Sequence, residues 1–119
     1  MQISQREVGG VVILDLAGRF VLEDGVTPFV DRMNALVREG RTRIVLNFEH
    51  VTYLDSAGVG AIAWKYATVR KSGGDVKLLK LQPRSYIVLD TTHLLTVLGA
   101  FDSEDAALAS LGRSPQPLG

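Results

Sequence analysis

Two short apolar runs on either side of an amphipathic segment constrain the fold of this chain more than any other feature. The runs are VVILDL at residues 11–16 and RIVLNF at residues 43–48. Strands that are covered on both faces have this length and composition. Between the runs, apolar side chains recur at helical spacing at Phe29, Met33 and Leu36. A strand, a helix and a second strand in this order predict a parallel pair joined by a helical crossover.

This first helix has sequence signals at both ends. Pro28 suits the first turn, and Thr27 is the predicted N-cap because its hydroxyl can accept a hydrogen bond from a first-turn N–H group. Gly40 follows the last apolar position, as is common after a helix end. Residues 18–27, ahead of the helix, are therefore predicted to form a loop.

The rest of the chain continues the alternation of strands and helices. Residues 2–8 and 11–16 flank Gly9 and Gly10, and this pattern predicts a hairpin. The later predicted elements are a helix through Val69 that Ser72-Gly73-Gly74 ends, a strand at 75–81, a helix from Pro83 to about Thr91, a short strand in LGAF and a final helix in DSEDAALASL. The predicted fold class is α/β, a small mixed β-sheet of about four to five strands with about four α-helices.

The composition is that of an ordinary globular protein, with 46% hydrophobic and 22% charged residues among 119. Lys+Arg and Asp+Glu number 13 each, so no net charge attracts the chain to nucleic acid or to an anionic membrane. The length predicts one domain at residues 1–112, followed by a disordered tail at 113–119, which is polar and contains proline. Because neither a secretory signal nor a long apolar run is present, we expect a cytoplasmic protein without membrane insertion.

The segment YLDSAGVG at residues 53–60 is the candidate functional site. Ser56 lies where a strand gives way to a helix, so it is a candidate nucleophile, phosphate-binding residue, helix cap or modification site. A nucleophilic serine needs a base, and the chain has only His50, predicted in a loop, and His93, predicted at a helix end. The glycine expected two positions before such a serine is also missing. We therefore predict no catalytic triad and no enzymatic activity.

The glycines of this segment also allow a nucleotide-binding interpretation. GVGAIA at 58–63 has the G-x-G-x-x-A spacing that directly follows a strand in dinucleotide-binding folds. The predicted strand ends well before this point, at Phe48, and the next strand, 75–81, does not end in an acidic residue. Gly58 and Gly60 are therefore interpreted as residues that permit close packing and a tight backbone at the start of the helix.

No recognisable metal site is present in the sequence. The chain has no cysteine and two isolated histidines, and its candidate carboxylates are not spaced as in a calcium loop: Asp15, Asp24, Asp31 and Asp55. We predict neither a metal nor a cofactor.

Two roles of Ser56 remain open, helix cap and modification site. As a cap, its hydroxyl would accept a hydrogen bond from the first turn and stabilise the helix by about 1 kcal/mol. Asp55 could cap instead, or place favourable charge at the positive end of the helix dipole. Capping alone does not explain why the apolar VTYL precedes, and glycines follow, this pair.

The stretch IVLNFEHVTYLDSAGVGAI resembles the central signature of the STAS domain family, and in particular of bacterial anti-sigma factor antagonists. That signature is an apolar strand, a short link with Val and Tyr, and Asp-Ser-x-Gly at the start of a helix. LAGRF, GGDVKLLKL and LLTVLGAFDSEDAALASL are similar to flanking parts of the family, so the resemblance covers most of the chain. It implies a single STAS-type domain.

The resemblance also implies a function and partners. In these antagonists the serine directly after the aspartate, at the position of Ser56, is phosphorylated by a partner that is both a serine kinase and an anti-sigma factor. The unmodified antagonist binds this partner and frees a sigma factor, phosphorylation abolishes the binding, and a phosphatase resets the system. The expected function is regulation of sigma-factor-dependent transcription by partner switching.

Site residues follow from the same resemblance. Ser56 is the expected phosphoacceptor and Asp55 its orienting neighbour, while the other expected motif or partner-binding residues are Gly58, Gly60, Tyr53, Thr52 and, in the 22–27 loop, Asp24. The alternative function is a nucleotide- or small-ligand-binding sensor, or an adaptor domain, in a signalling complex.

Two departures from the family pattern affect these expectations. GRFVLEDG has Arg19 and Val21 where many antagonists carry an acidic stretch, although Glu23 and Asp24 follow shortly. Ala57 stands where a second serine is frequent, which leaves Ser56 as the one candidate phosphoacceptor in the motif.

Overall fold

Residues 1–112 are described by the computed structural model, and their strands lie in a single sheet in sequence order. The strands are β1 (Gln2–Val8), β2 (Val11–Phe20), β3 (Arg43–Leu54), β4 (Asp75–Leu79) and β5 (Ala100–Phe101). The helices are α1 (Val26–Arg38), α2 (Ser56–Lys71), α3 (Pro83–Thr91), α4 (Leu94–Leu98) and α5 (Glu104–Ser110). β1 and β2 are antiparallel and all other neighbouring strands are parallel, which confirms the predicted mixed α/β sheet.

The hairpin forms as predicted. Val8 pairs with Val11, and Gly9 and Gly10 between them have φ values of 57° and 80°. Positive φ at both central positions is what a type I′ turn requires, and glycine adopts it without steric cost.

The sheet separates two apolar clusters of unequal size. The larger one lies under α1, α2, α3 and α4, and its largest fully buried side chains include Phe20, Phe29 and Phe48. The rings of Phe20 and Phe29 lie 4.9 Å apart at their centroids. The smaller cluster lies under α5 and comprises Val11, Ile13, Val45, Leu79, Ala107, Leu108 and Leu111.

The start of α1 differs from the prediction. β2 continues to Phe20, and the helix begins at Val26 with Gly25 as N-cap and no side-chain cap. Thr27 therefore lies within the first turn and is not the N-cap. A Cβ at residue 25 would lie 3.0 Å from the Cα of Phe20, so the close return of the chain onto β2 favours glycine here. Gly40, with φ of 72°, follows the helix end as predicted.

β3 is twice as long as predicted, and its second half contains two irregularities. Asp15 pairs with Asn47 but Ala17 pairs with His50, and later Gly18 pairs with Val51 but Arg19 with Tyr53. At each point β3 has one residue more than β2, which is the definition of a β-bulge. The bulges replace the alternation of buried and exposed residues by the pattern buried, exposed, exposed over residues 48–54. The link predicted at residues 49–54 is therefore part of the strand.

The later elements follow the prediction with two exceptions. β4 ends at Leu79, since Lys80 has a positive φ of 54° and turns the chain out of the sheet. A fifth helix within residues 1–112, α4, was not predicted, and it begins after His93, which also has a positive φ, of 63°. β5 and α5 are confirmed, and Ser103 caps α5 by accepting a hydrogen bond from the N–H of Ala106. The predicted tail, 113–119, lies outside the described residues.

Candidate functional site at the start of helix α2

Asp55, not Ser56, is the residue that caps α2. One oxygen of its carboxylate, Oδ1, accepts a hydrogen bond from the N–H of Gly58 at 2.8 Å. The other, Oδ2, accepts one from the N–H of Leu22 at 3.1 Å. The first bond satisfies a donor of the first helical turn and the second fixes the loop between β2 and α1. Asp55 thus connects the ends of two neighbouring strands.

These hydrogen bonds keep the Asp55 carboxylate ionised. Partial burial by itself raises the pKa of this group, but hydrogen bonds from backbone N–H groups, of Gly58 first and then of Leu22, lower it further than burial raises it. The resulting pKa lies below the ordinary value for aspartate. A negative charge is therefore fixed at the positive end of the α2 dipole.

Ser56 is the first residue of α2, and its side chain is exposed. Its hydroxyl makes no hydrogen bond to any other residue in the part of the chain that the structure describes. Because Asp55 already caps the helix, the Ser56 hydroxyl is not used for capping. The capping role that remained open for Ser56 belongs to its neighbour.

The two glycines of the motif have different surroundings. A Cβ at Gly58 would lie 2.5 Å from the carbonyl oxygen of Phe20 and 2.7 Å from Cδ1 of Leu54, so only glycine fits. A Cβ at Gly60 would have no atom within 4 Å. The predicted packing role holds for Gly58 alone, and Gly60 leaves the exposed side of the first helical turns without a side chain.

Thr52 and Tyr53 lie next to each other on β3, and both are exposed. Successive residues of a regular strand point to opposite faces, and the bulge before Tyr53 is what allows both side chains to reach solvent. The Tyr53 ring is 45% exposed and lies 6.0 Å from the guanidinium carbon of Arg19. Tyr53, Arg19, Leu22 and Asp55 line a shallow depression of about 320 Å³.

Asp24 does not line this depression, although it lies in the same loop. It is exposed, and its carboxylate forms an ion pair with the amino group of Met1. Leu22, two residues earlier, lines the depression and is 64% exposed. Glu23 lines the depression as well, so the loop presents one apolar and one acidic side chain beside Asp55, and Asp24 is neither of them.

Sequence inspection missed a second exposed aromatic residue, Trp64. Its side chain is 58% exposed two turns after Ser56 on α2. The ammonium of the buried Lys65 lies 3.8 Å from the ring centroid and donates a hydrogen bond to Oδ1 of Asn34 at 2.8 Å. A tryptophan among small residues on this helix was a visible signal, but an apolar residue in an amphipathic helix is normally assigned to the core.

The end of β3 differs from the prediction in a way that bears on the nucleotide-binding interpretation. β3 extends to Leu54 and not to Phe48, so Gly58 follows the strand closely. The glycines nevertheless lie inside α2 without positive φ, and the N–H of Gly58 is already bonded to Asp55. The glycine turn of a dinucleotide-binding fold precedes its helix, so the two arrangements differ.

The two histidines are exposed and belong to other parts of the fold than helix α2, which Ser56 begins. His50 is exposed on β3 rather than in a loop, 3.7 Å from the carboxylate of Glu49. His93 is exposed between α3 and α4. Within residues 1–112 no group of three or more His, Asp and Glu side chains is placed to hold a metal ion. None of the helices over the same residues is long and apolar enough to cross a membrane.

The sequence of this chain is similar to those of a known protein family. Residues 2–107 match the STAS domain family. A relative from Paenibacillus polymyxa named anti-sigma F factor antagonist is 29% identical over 114 residues, which cover 93% of this chain and 95% of the relative.

Solved structures of this family share the fold. The phosphorylated form of the Bacillus cell fate determinant SpoIIAA superposes with a TM-score of 0.73 at 21% identity, over 92% of this chain and 98% of that one. An anti-sigma factor antagonist from Mycobacterium paratuberculosis gives 0.80 at 19% identity, over 93% of both chains. With the family match spanning nearly all of the described residues, the chain belongs to the STAS domain family.

Proposed function

We propose that this protein is an anti-sigma factor antagonist. It binds, in the cytoplasm, an anti-sigma factor that is also a serine kinase, and phosphorylation of Ser56 by that partner ends the binding. The name and nearly complete coverage of the Paenibacillus polymyxa relative support the function. The observation that carries the role of Ser56 is at the start of α2: Asp55 caps the helix, and the adjacent serine hydroxyl is exposed and makes no hydrogen bond within residues 1–112.

The surroundings of Ser56 suit a substrate better than a catalyst. In phosphoryl transfer, Oγ of Ser56 attacks the γ-phosphorus of ATP, the bond to the β-phosphate oxygen breaks, and ADP leaves. The hydroxyl proton needs a base, and Asp55 is already committed to two backbone N–H groups. The base and the magnesium ligands are therefore assigned to the kinase, which also supplies the ATP. A phosphatase restores the hydroxyl by hydrolysis.

A phosphate on Ser56 changes the electrostatics of this surface locally. It adds about −1.5 to −2 charges next to the ionised Asp55, where first-turn N–H groups and the helix dipole favour an anion. The helix start therefore tolerates the phosphate without refolding, while the added negative charge and bulk repel the partner. The switch acts through the surface formed by Leu22, Tyr53 and Ser56.

The test is incubation of the full chain with the anti-sigma-type serine kinases of the same genome and ATP, followed by mass spectrometry and binding measurements. We expect one phosphate, on Ser56, and loss of the complex once it is added. Ser56→Ala should bind the kinase but accept no phosphate. Ser72→Ala, which removes an exposed serine at the other end of α2, is the matched control and should behave as wild type.

Two results would contradict the proposal. One is the absence of both phosphorylation and nucleotide-dependent complexes with every such kinase, and the other is saturable micromolar binding of a nucleotide by the isolated chain, which would favour the sensor function. The local nature of the switch is tested separately by amide spectra of the phosphorylated protein. Widespread changes far from residues 50–65 would contradict it.

A further inference from the structure

Strand β3 extends well beyond its neighbour β4. The pairing of these two strands ends where Asn47 lies beside Leu79, whereas β3 continues to Leu54. Within residues 1–112, the last part of β3 is paired with β2 alone. The other edge of residues 48–54 therefore presents backbone N–H and C=O groups that no neighbouring strand occupies.

The chain leaves this edge at one residue. Lys80 has a positive φ of 54°, and its N–H donates a hydrogen bond to the carbonyl of Phe101, on the side away from β3. Pro83 then begins α3, which runs beside the unpaired edge instead of continuing the sheet. The turn at Lys80 thus leaves a gap where β4 would otherwise have continued.

The gap is a continuous groove between β3 and α3, which we name the β3–α3 groove. It comprises two adjoining depressions of about 560 and 330 Å³ that share Arg84. Four consecutive residues of β3, 49–52, line the larger one. The depression therefore follows the part of β3 that has no β4 neighbour, where the bulges interrupt the regular alternation of side chains.

The walls of the groove have a defined chemistry. Ile87 is 65% exposed on α3, and the half-exposed ring of Tyr53 lines the same depression. Arg84 is exposed and has no ion-pair partner among residues 1–112, while the one carboxylate of the groove, Glu49, lies 3.7 Å from the ammonium of Lys80. The groove therefore offers an apolar wall, an uncompensated positive charge and a backbone edge.

We infer that the β3–α3 groove binds an extended peptide segment of a partner protein by addition of a strand to the edge of β3. Main-chain hydrogen bonds to β3 supply affinity, a carboxylate of the peptide pairs with Arg84, and an apolar side chain two positions away packs on Ile87 and Tyr53. This inference does not depend on phosphorylation of Ser56.

The bulges of β3 favour a peptide over a second copy of this chain. Bulges twist an edge and hinder its pairing with another flat, preformed edge. A flexible peptide can follow the twist, and its ordering cost is offset by the side-chain contacts with Arg84 and Ile87.

The inference is tested by selection of a random dodecapeptide phage library on the immobilised full chain. We expect enriched peptides that alternate apolar and acidic residues, and the synthetic peptides should shift the amide signals of residues 49–54. Arg84→Glu and Ile87→Asp alter exposed side chains, so the fold should persist, and each should weaken binding by about tenfold or more. Arg38→Glu, an equivalent charge reversal on α1, is the matched control and should bind as wild type.

Three outcomes would overturn the inference. They are a selection without enrichment, peptides that bind both groove variants as tightly as wild type, and amide shifts confined to other parts of the chain. If Ser56 is phosphorylated but no peptide binds in the groove, the proposed function stands and the inference about the groove is wrong. If peptides bind in the groove but no kinase acts on Ser56, the inference stands and the proposed function is wrong.

Discussion

The two halves of β3 contrast within a single strand. Residues 44–48 are all buried, and those up to Asn47 are paired with β2 on one side and with β4 on the other. Residues 49–54 contain two bulges, are paired with β2 alone, and expose two residues out of every three. One half forms the centre of the core, and the other displays side chains at the edge of the candidate site.

This contrast shows how one strand can serve stability and recognition together. The regular half fixes the position of the strand through burial on both faces. The bulged half is held at its far end by Leu54, which is buried against Gly58 of α2. Between these two anchors, Thr52 and Tyr53 are free to face solvent at low cost to the fold.

The largest expected difference between the two halves of β3 is in stability, and truncating one side chain in each half measures it. Leu46→Ala in the regular half should lower the free energy of unfolding by about 2–5 kcal/mol, because it leaves a cavity at a fully buried position. Thr52→Ala in the bulged half should change it by less than about 0.5 kcal/mol. Urea unfolding of both variants measures the difference, and equal losses would contradict the division of the strand.

Gly58 tests the anchor at the end of the bulged half. Gly58→Ala should destabilise the protein by about 1–3 kcal/mol, since the new methyl group would overlap the carbonyl of Phe20. Gly60→Ala is the matched control and should stabilise it by about 0.5–1 kcal/mol, because its Cβ enters open space within a helix. Thermal unfolding distinguishes the two, and a stable Gly58→Ala variant would show that the anchor is dispensable.

Asp55 and Ser56, directly after β3, should differ in their contribution to stability. Asp55→Asn retains some capping, whereas Asp55→Ala should cost about 1 kcal/mol. Ser56→Ala should leave stability nearly unchanged, because the serine hydroxyl makes no hydrogen bond within residues 1–112. A loss with Ser56→Ala equal to that with Asp55→Ala would return the capping role to the serine.

The pH dependence of stability tests the ionised state of Asp55. Its pKa is lower in the folded protein, so its contribution is fully present above the unfolded pKa and is lost as pH falls through the folded value. Asp15 and Glu104 also have lowered pKa values, and they titrate in the same acidic range. The difference between wild type and Asp55→Asn isolates Asp55, and we expect it to shrink as the pH is lowered below about 4.

The smallest effect on stability is expected for Tyr53→Ala. The ring is half-exposed, so removal should change the free energy of unfolding by less than about 1 kcal/mol. If the bulged half of β3 contacts the partner, Tyr53→Ala should weaken binding of the kinase that phosphorylates Ser56. Calorimetric titration measures this, and Thr52→Ser, which keeps the hydroxyl, serves as the control.

Most of the fold was predictable because its signals are local. The glycine pair of the hairpin, the apolar runs of β2 and β3, and the serine that caps α5 each act within a few residues. Residues 49–54 were not recognised as strand because bulges exist only relative to a partner strand. Their buried, exposed, exposed pattern matches neither the strand period of two nor the helical period.

The motif located the candidate site in the sequence, but it did not show which of its two polar residues caps the helix. Asp55 and Ser56 are adjacent, and both residue types cap helices well. What distinguishes them is the N–H of Leu22, which is 33 residues away in sequence and binds the aspartate. A contact between residues so far apart cannot be predicted from a local sequence pattern. The gap beside α3 could not be predicted for a similar reason, because it depends on where β4 ends relative to β3.

Helix α5 has a consequence for local opening of the protein. Its seven residues cover the smaller apolar cluster. Its first residue, Glu104, forms an ion pair with Arg6 at 2.6 Å. So short a helix should detach more often than the sheet unfolds, which would uncover Val11, Ile13 and Val45 while Ser56 stays in place. Local opening is therefore expected first on the face opposite to α2, away from Ser56.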